Sequence, residues 1–152
     1  MDDLADRYAD RGVTSVFLYT REAHPGERYR HHTSMDVKRA NARAFRAHSA
    51  VRRRILLDDL EGTAHRAYGI LPNMTYIVGR GMVLYRAAWT EVGDVEDALR
   101  QSLERLARRR PDALTSFYSE RLAWRGQDPD AFRAGLERAG PQAVRDFYGR
   151  SR

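Results

Sequence analysis

The sequence predicts an α/β domain followed by a helical extension, and three observations carry that prediction. A strand with apolar residues on both faces, within Val13 to Thr20, runs into a loop and then an amphipathic helix. A hairpin pattern lies in NMTYIVGRGMVLYRAAW, and a strong helical period returns from Asp94 onward. The length of 152 residues suits one compact domain, since domains cluster near about 100–150 residues. With 42% hydrophobic and 32% charged residues the chain has material for a core and is neither a disordered nor a membrane protein by composition.

The elements follow in order. Asp2 to Arg11 places Leu4, Ala5, Tyr8 and Ala9 at helical spacing behind an acidic first turn, with Gly12 as C-cap. VTSVFLYT, residues 13 to 20, is β-branched and aromatic and reads as a strand covered on both sides. Residues 21 to 35 hold Pro25, Gly26 and charged side chains without a period, so they form a loop at the strand's carboxyl end, where such folds bind ligands. Asp36 is expected to cap a helix through His48, with Val37, Ala40, Ala44, Phe45 and Ala47 inward and Lys38, Arg39, Arg43 and Arg46 outward. Ile55 to Leu57 reads as a second strand, and Gly62 to Tyr68 as a short helix. Met74 to Val78 and Met82 to Ala87 flank a Gly79-Arg80-Gly81 turn. Helices are expected over 94–109, 112–125, from the Asp128-Pro129 cap to Gly140, and over 142–148.

Cysteine is absent, which removes disulfides, thiolate nucleophiles, zinc ribbons and iron–sulfur clusters. Net charge is +6, yet only one of the 27 Lys and Arg residues is lysine, so an arginine-biased composition accounts for the charge as well as a polyanion partner would. The basic stretches 38–54 and 100–110 interleave too few aromatics for a base-stacking surface, and nucleic acid is not the expected partner. No run of about 18 apolar residues and no secretory leader occurs, so no membrane contact and a cytoplasmic location are expected. Nucleotide-binding and serine-hydrolase motifs are missing, and the separations of His24, His31 and His32 match no metal-ligand spacing. No cofactor and no metal are expected.

Two segments resemble the iodothyronine deiodinase family and its bacterial redoxin relatives. In FLYTREAHPGERY an aromatic-rich strand leads into Glu22, Ala23, His24 and Pro25. In LLDDLEGTAHRAYGILPNMTYIVGRGMVLYRAAW, Asp58, Ala67, Tyr68, Gly69, Pro72, Tyr76, Gly81 and Tyr85 occupy the family's strand end, Ala-Tyr-Gly, proline and final-strand positions. The resemblance covers about residues 1 to 106 and implies a thioredoxin-like three-layer sandwich over 1–109, with a C-terminal α-helical extension over 110–152. It implies redox oxidoreductase chemistry with a thiol reductant as partner. Glu22 and His24 would be auxiliary proton-transfer groups, and His31, Tyr68 and a cis Pro72 would border the substrate.

The family's loop continues Asp-Gly-Trp where this chain has Gly26-Glu27-Arg28-Tyr29. Its nucleophile, a cysteine or selenocysteine between the first strand and first helix, has no counterpart, and the first, central strand is missing with it. A chain start upstream of Met1, direct pairing of the two flanking strands, or a partner's edge would each close that gap. This chain is therefore expected to be inactive in thiol chemistry. A redox-inactive binding module for a peptide or small ligand is the alternative. A homo-oligomer, in which the apolar C-terminal helices cover a neighbouring subunit, is also open.

Overall fold

A computed structural model describes residues 1–69, 71–108, 119–121 and 128–149, at 119–121 for the backbone. The element order is α1 (Asp2–Ala9), β1 (Val16–Tyr19), α2 (Met35–His48), β2 (Arg54–Leu57), α3 (Thr63–Tyr68), β3 (Thr75–Gly79), β4 (Met82–Ala87), α4 (Val92–Ala107), β5 (Ser119–Arg121), α5 (Pro129–Ala139) and α6 (Pro141–Tyr148). The protein is thus mixed α/β. Among the described residues no helix is long and apolar enough to cross a membrane. The chain groups into two compact units: Leu71–Arg125 with Met1, and Asp2–Ile70 with Gly126–Arg152.

The unit built on residues 2–70 contains a β–α–β motif. β1 and β2 pair in parallel, from Val16 opposite Arg54 to Tyr19 opposite Leu57, with α2 as the connection. Phe45 seats α2 on the sheet, its ring 5.0 Å from Phe17 and 6.0 Å from Tyr19. Ser34, not Asp36, caps α2 by accepting from the Val37 amide at 3.2 Å. α1 buries Leu4 and Tyr8. Its Asp2 carboxylate accepts from the Arg52 and Arg53 amides at 3.2 and 3.0 Å, tying the helix to the entrance of β2.

The inward side of α2 differs from the expected one. Lys38, Asn41 and Ala42 are its buried residues, whereas Ala40, Ala44 and Ala47 are exposed. Positions 38, 41, 42 and 45 form an i, i+3, i+4, i+7 stripe, about one residue out of phase with the apolar pattern. Two polar side chains tolerate this burial because loops supply their partners: Lys38 Nζ donates to the Asp59 carbonyl at 3.1 Å and Asn41 Nδ2 to the Arg30 carbonyl at 3.0 Å.

The C-terminal helices pack on the loop that follows β1. Leu136, Ala139 and Ala143 form a small core with Tyr29 and Val144 beside it. The Arg28 amide donates to the Ala139 carbonyl at 2.9 Å. The Glu27 carboxylate accepts from the Gln142 amide at 3.0 and 2.9 Å, capping α6, whose own N-cap, Gly140, has no side chain. That amide holds the Glu27 carboxyl below its ordinary range, with help from Arg145. Gly140 has φ +127°, and a Cβ there would run into the Glu27 carboxylate and lie 2.9 Å from the Glu27 amide nitrogen. Gly140→Ala is therefore expected to lower stability by about 2 kcal/mol, from backbone strain together with a displaced cap. Chemical denaturation checks it; a loss under about 0.5 kcal/mol would mean that Glu27 moves aside freely.

In the other unit, β3 and β4 form the expected hairpin, joined by Arg80 and Gly81 with φ of 49° and 76°. Positive φ at both residues is the two-residue turn that matches strand twist. β4 also pairs in parallel with β5. The strand at 119–121 replaces part of the helix expected over 112–125; the remainder of that helix lies outside the described residues. Backbone pairing with Tyr85–Ala87 overrides the local helical pattern there. Tyr85, Ala87, Val95 and Leu99 are buried in this unit.

Among the described residues β1 pairs with β2, and β3, β4 and β5 form a second sheet. No peptide bond among the described residues is cis, which makes Leu71–Pro72 trans, contrary to the expectation from the resemblance. An unconstrained X-Pro bond favours trans by about 0.5–1 kcal/mol.

Candidate functional site

The carboxyl ends of β1 and β2 gather the buried ionisable groups of the larger unit. β1 ends at Tyr19, whose hydroxyl donates to Glu22 Oε1 three residues later. The loop returns before α2 and places His32 against the same tyrosine, ring centroids 5.5 Å apart. His32 Nε2 lies 3.9 Å from Glu22 Oε1, and the two side chains are only 4% and 20% exposed. That gap is too long for a hydrogen bond, and Nε2 is buried with no partner. Burial raises the Glu22 carboxyl to about 7, because an ionised carboxylate loses hydration there. Burial also pushes the His32 imidazole below its ordinary value, reinforced by the charges of Lys38 and His31. Both groups thus favour their neutral forms.

The ammonium of Lys38, whose charge bears on His32, is held at the Asp59 carbonyl. Burial lowers its affinity for the proton, and Asp58 and Asp59 oppose that by attraction. Asp58 is 4% exposed at the end of β2. Its Oδ1 accepts from the Asp59 and Ala64 amides at 3.0 and 2.9 Å, and its Oδ2 from the His65 amide at 2.9 Å. Three backbone donors therefore converge on one carboxylate, which fixes the first turn of α3 where Gly62 offers no side-chain cap.

The structure redistributes the expected site residues. Glu22 is in the cluster, but its imidazole neighbour is His32. His24 packs edge-on against Phe132 and Phe147, at 5.5 and 5.4 Å, rather than beside Glu22. His31 is exposed, and its charge bears on His32. Tyr68 ends α3 and is 45% exposed. Pro72 is exposed and belongs to the other unit.

His32 and Lys38 received no role from sequence reasoning. One signal did point to Lys38: it is the sole lysine among 27 Lys and Arg residues.

Chemically the cluster can hold and release a proton near neutral pH through Glu22, next to an unprotonated imidazole. It contains no thiol. Among the described residues no group of three or more His, Cys, Asp or Glu side chains converges as a metal site. An open depression of about 560 Å³ lies elsewhere, at the start of α4, lined by Glu91, Gly93, Asp94, Glu96 and Asp97. It is an acidic surface hollow. No family model, curated protein or solved structure matches the chain.

Proposed function

We propose that this chain is a thioredoxin-like module of the deiodinase and redoxin type that supplies the proton-handling part of a redox reaction. Its electrons come from a thiol reductant that the chain itself does not contain. The carrying observation is the Glu22 carboxyl, half-buried, bonded by Tyr19 and raised to about 7 at the carboxyl end of β1. A carboxylic acid with that value is half-protonated at neutral pH, the condition for efficient general acid catalysis. The position supports the reading too, since open α/β sheets place their chemistry at strand carboxyl ends. A cytoplasmic setting, where thiol reductants are abundant, belongs to the same proposal.

Two measurements test it. The purified chain, assayed with dithiothreitol on a disulfide, a peroxide and an iodinated phenol, is expected to show no turnover above the thiol alone. Carboxyl-carbon NMR is expected to place the Glu22 midpoint near 7. Turnover insensitive to alkylating agents and chelators would contradict the first part; a Glu22 midpoint at the ordinary 4.5 would remove the second.

A second reading, a redox-inactive binding module, is favoured by one observation. Phe132, Phe147 and Tyr148 are 39%, 42% and 46% exposed; the first two meet His24 edge-on, and Tyr148 meets Phe147 edge-on. Resonance shifts confined to those four residues on adding a small aromatic ligand would support it over proton handling.

A further inference from the structure

We infer that the helical pair α5–α6 seats Glu22: by gripping the tip of the loop after β1, residues 24–29, it holds the segment that carries Glu22 and keeps that carboxyl sheltered beside Tyr19 and His32. The inference rests on the proton-handling reading of Glu22 and names the part of the fold that maintains it.

The two arms of the loop are held differently. On the arm that leads into α2, the Arg30 carbonyl accepts from Asn41 Nδ2 at 3.0 Å and Ser34 caps the helix, so His32 sits between two fixed points. On the arm that leaves β1, no main-chain hydrogen bond between described residues holds 21–25. Glu22 is tied there through its own carboxyl, to the Tyr19 hydroxyl, and His24 through its ring, to Phe132 of α5 and Phe147 of α6.

The tip is where α5 and α6 take hold. The Gly26 amide closes it on the Tyr29 carbonyl at 2.9 Å, and the Arg28 amide reaches across to the Ala139 carbonyl at 2.9 Å. Two glycines form the seam. Gly26 is buried, and a Cβ there would lie 2.4 Å from the Ala139 carbonyl oxygen; one on Gly140 would lie 2.9 Å from the Glu27 amide nitrogen. Backbone thus meets backbone from both sides, at a distance that a side chain on either residue would prevent. Glu27 adds the cap on α6. Glu22 lies two residues before His24 and four before Gly26, so a displaced tip carries it along. The groups that face Glu22 are the Tyr19 hydroxyl at the end of β1 and His32 Nε2 at 3.9 Å. Shelter from water, rather than a charged partner, sets its titration, so water admitted by a displaced tip reads out as a lower midpoint.

Gly26→Ala is the direct experiment, because the added methyl forces the tip off the end of α5 without changing any charge. The Arg28 and Gln142 amide resonances are expected to move, and the Glu22 midpoint to fall from about 7 toward 4.5 by about one pH unit or more. Gly135→Ala, in α5 with nothing within 4 Å of the new carbon, is expected to leave the Glu22 midpoint where it is.

An unchanged Glu22 midpoint in folded Gly26→Ala would overturn the inference, as would Arg28 and Gln142 amides that stay in place, since the seam would then not be tight. If Gly26→Ala does not fold, Glu27→Ala decides: it withdraws the α6 cap from an exposed position without overfilling the seam, the same fall is expected, and no fall counts against α5–α6. An ordinary Glu22 midpoint in the wild-type chain would instead defeat the proton-handling reading itself, so the two failures are distinguishable.

Discussion

Asp58→Ala is expected to cost about 4 kcal/mol, the largest effect of any single change discussed for this protein. The carboxylate is 4% exposed and receives the Asp59, Ala64 and His65 amides, so its removal strands three donors at the start of α3. A buried donor left without an acceptor costs about 1–3 kcal/mol, although the exposed rim of the turn lets water reach some of the three. Lys38 loses part of its counter-charge in the same step, which leaves a buried ammonium less compensated. Against a total stability of about 5–15 kcal/mol this is a large fraction. Urea denaturation measures it, and amide exchange should locate the first damage at Ala64 and His65. A loss below about 1 kcal/mol would show that α3 does not depend on this carboxylate.

Glu22→Gln is expected to be more stable than the wild-type chain at pH 8 by about 2–3 kcal/mol, with the advantage shrinking as the pH is lowered to 4. The sign follows from the direction of the shift. Folded Glu22 titrates at about 7 against an ordinary 4.5, so the folded state holds the proton more tightly than the unfolded chain. Stability from this group is complete below 4.5, falls as pH rises between the two values, and is lost above 7. A displacement of about 2.5 units at 1.36 kcal/mol each gives about 3 kcal/mol. The Tyr19 hydroxyl bond to Oε1 favours the carboxylate and trims that figure. Glutamine has nearly the same shape and no charge to bury. Denaturation at several pH values checks the slope; equal slopes for both proteins would show that Glu22 is solvated.

Much of the backbone was legible in the sequence because it depends on local patterns. The hairpin was marked by Gly79-Arg80-Gly81 between two apolar runs, and its turn uses Arg80 and Gly81 at positive φ. The α5 start was marked by Asp128-Pro129, and Asp128 does accept from the Asp130 and Ala131 amides at 3.1 and 2.9 Å. Glu22 was marked as a candidate by the family resemblance of Glu22-Ala23-His24-Pro25. Its partner was not. The resemblance paired it with His24, but that ring is drawn into the aromatic group of α5 and α6, more than one hundred residues later in the chain.

By itself, then, the amino-acid order determined the mixed α/β character, the placement of most helices and strands, and the absence of any thiol, all of which follow from residue type and short-range periodicity. Tertiary structure alone decided the phase of α2 and the membership of the site. Periodicity reads Lys38 as outward and marks no inward place for Asn41. The Asp59 and Arg30 carbonyls, from other loops, satisfy those groups and turn them inward. Burial of a polar side chain depends on whether a partner meets it, and partners arriving from 11 and 21 residues away leave no trace in a local hydrophobic pattern.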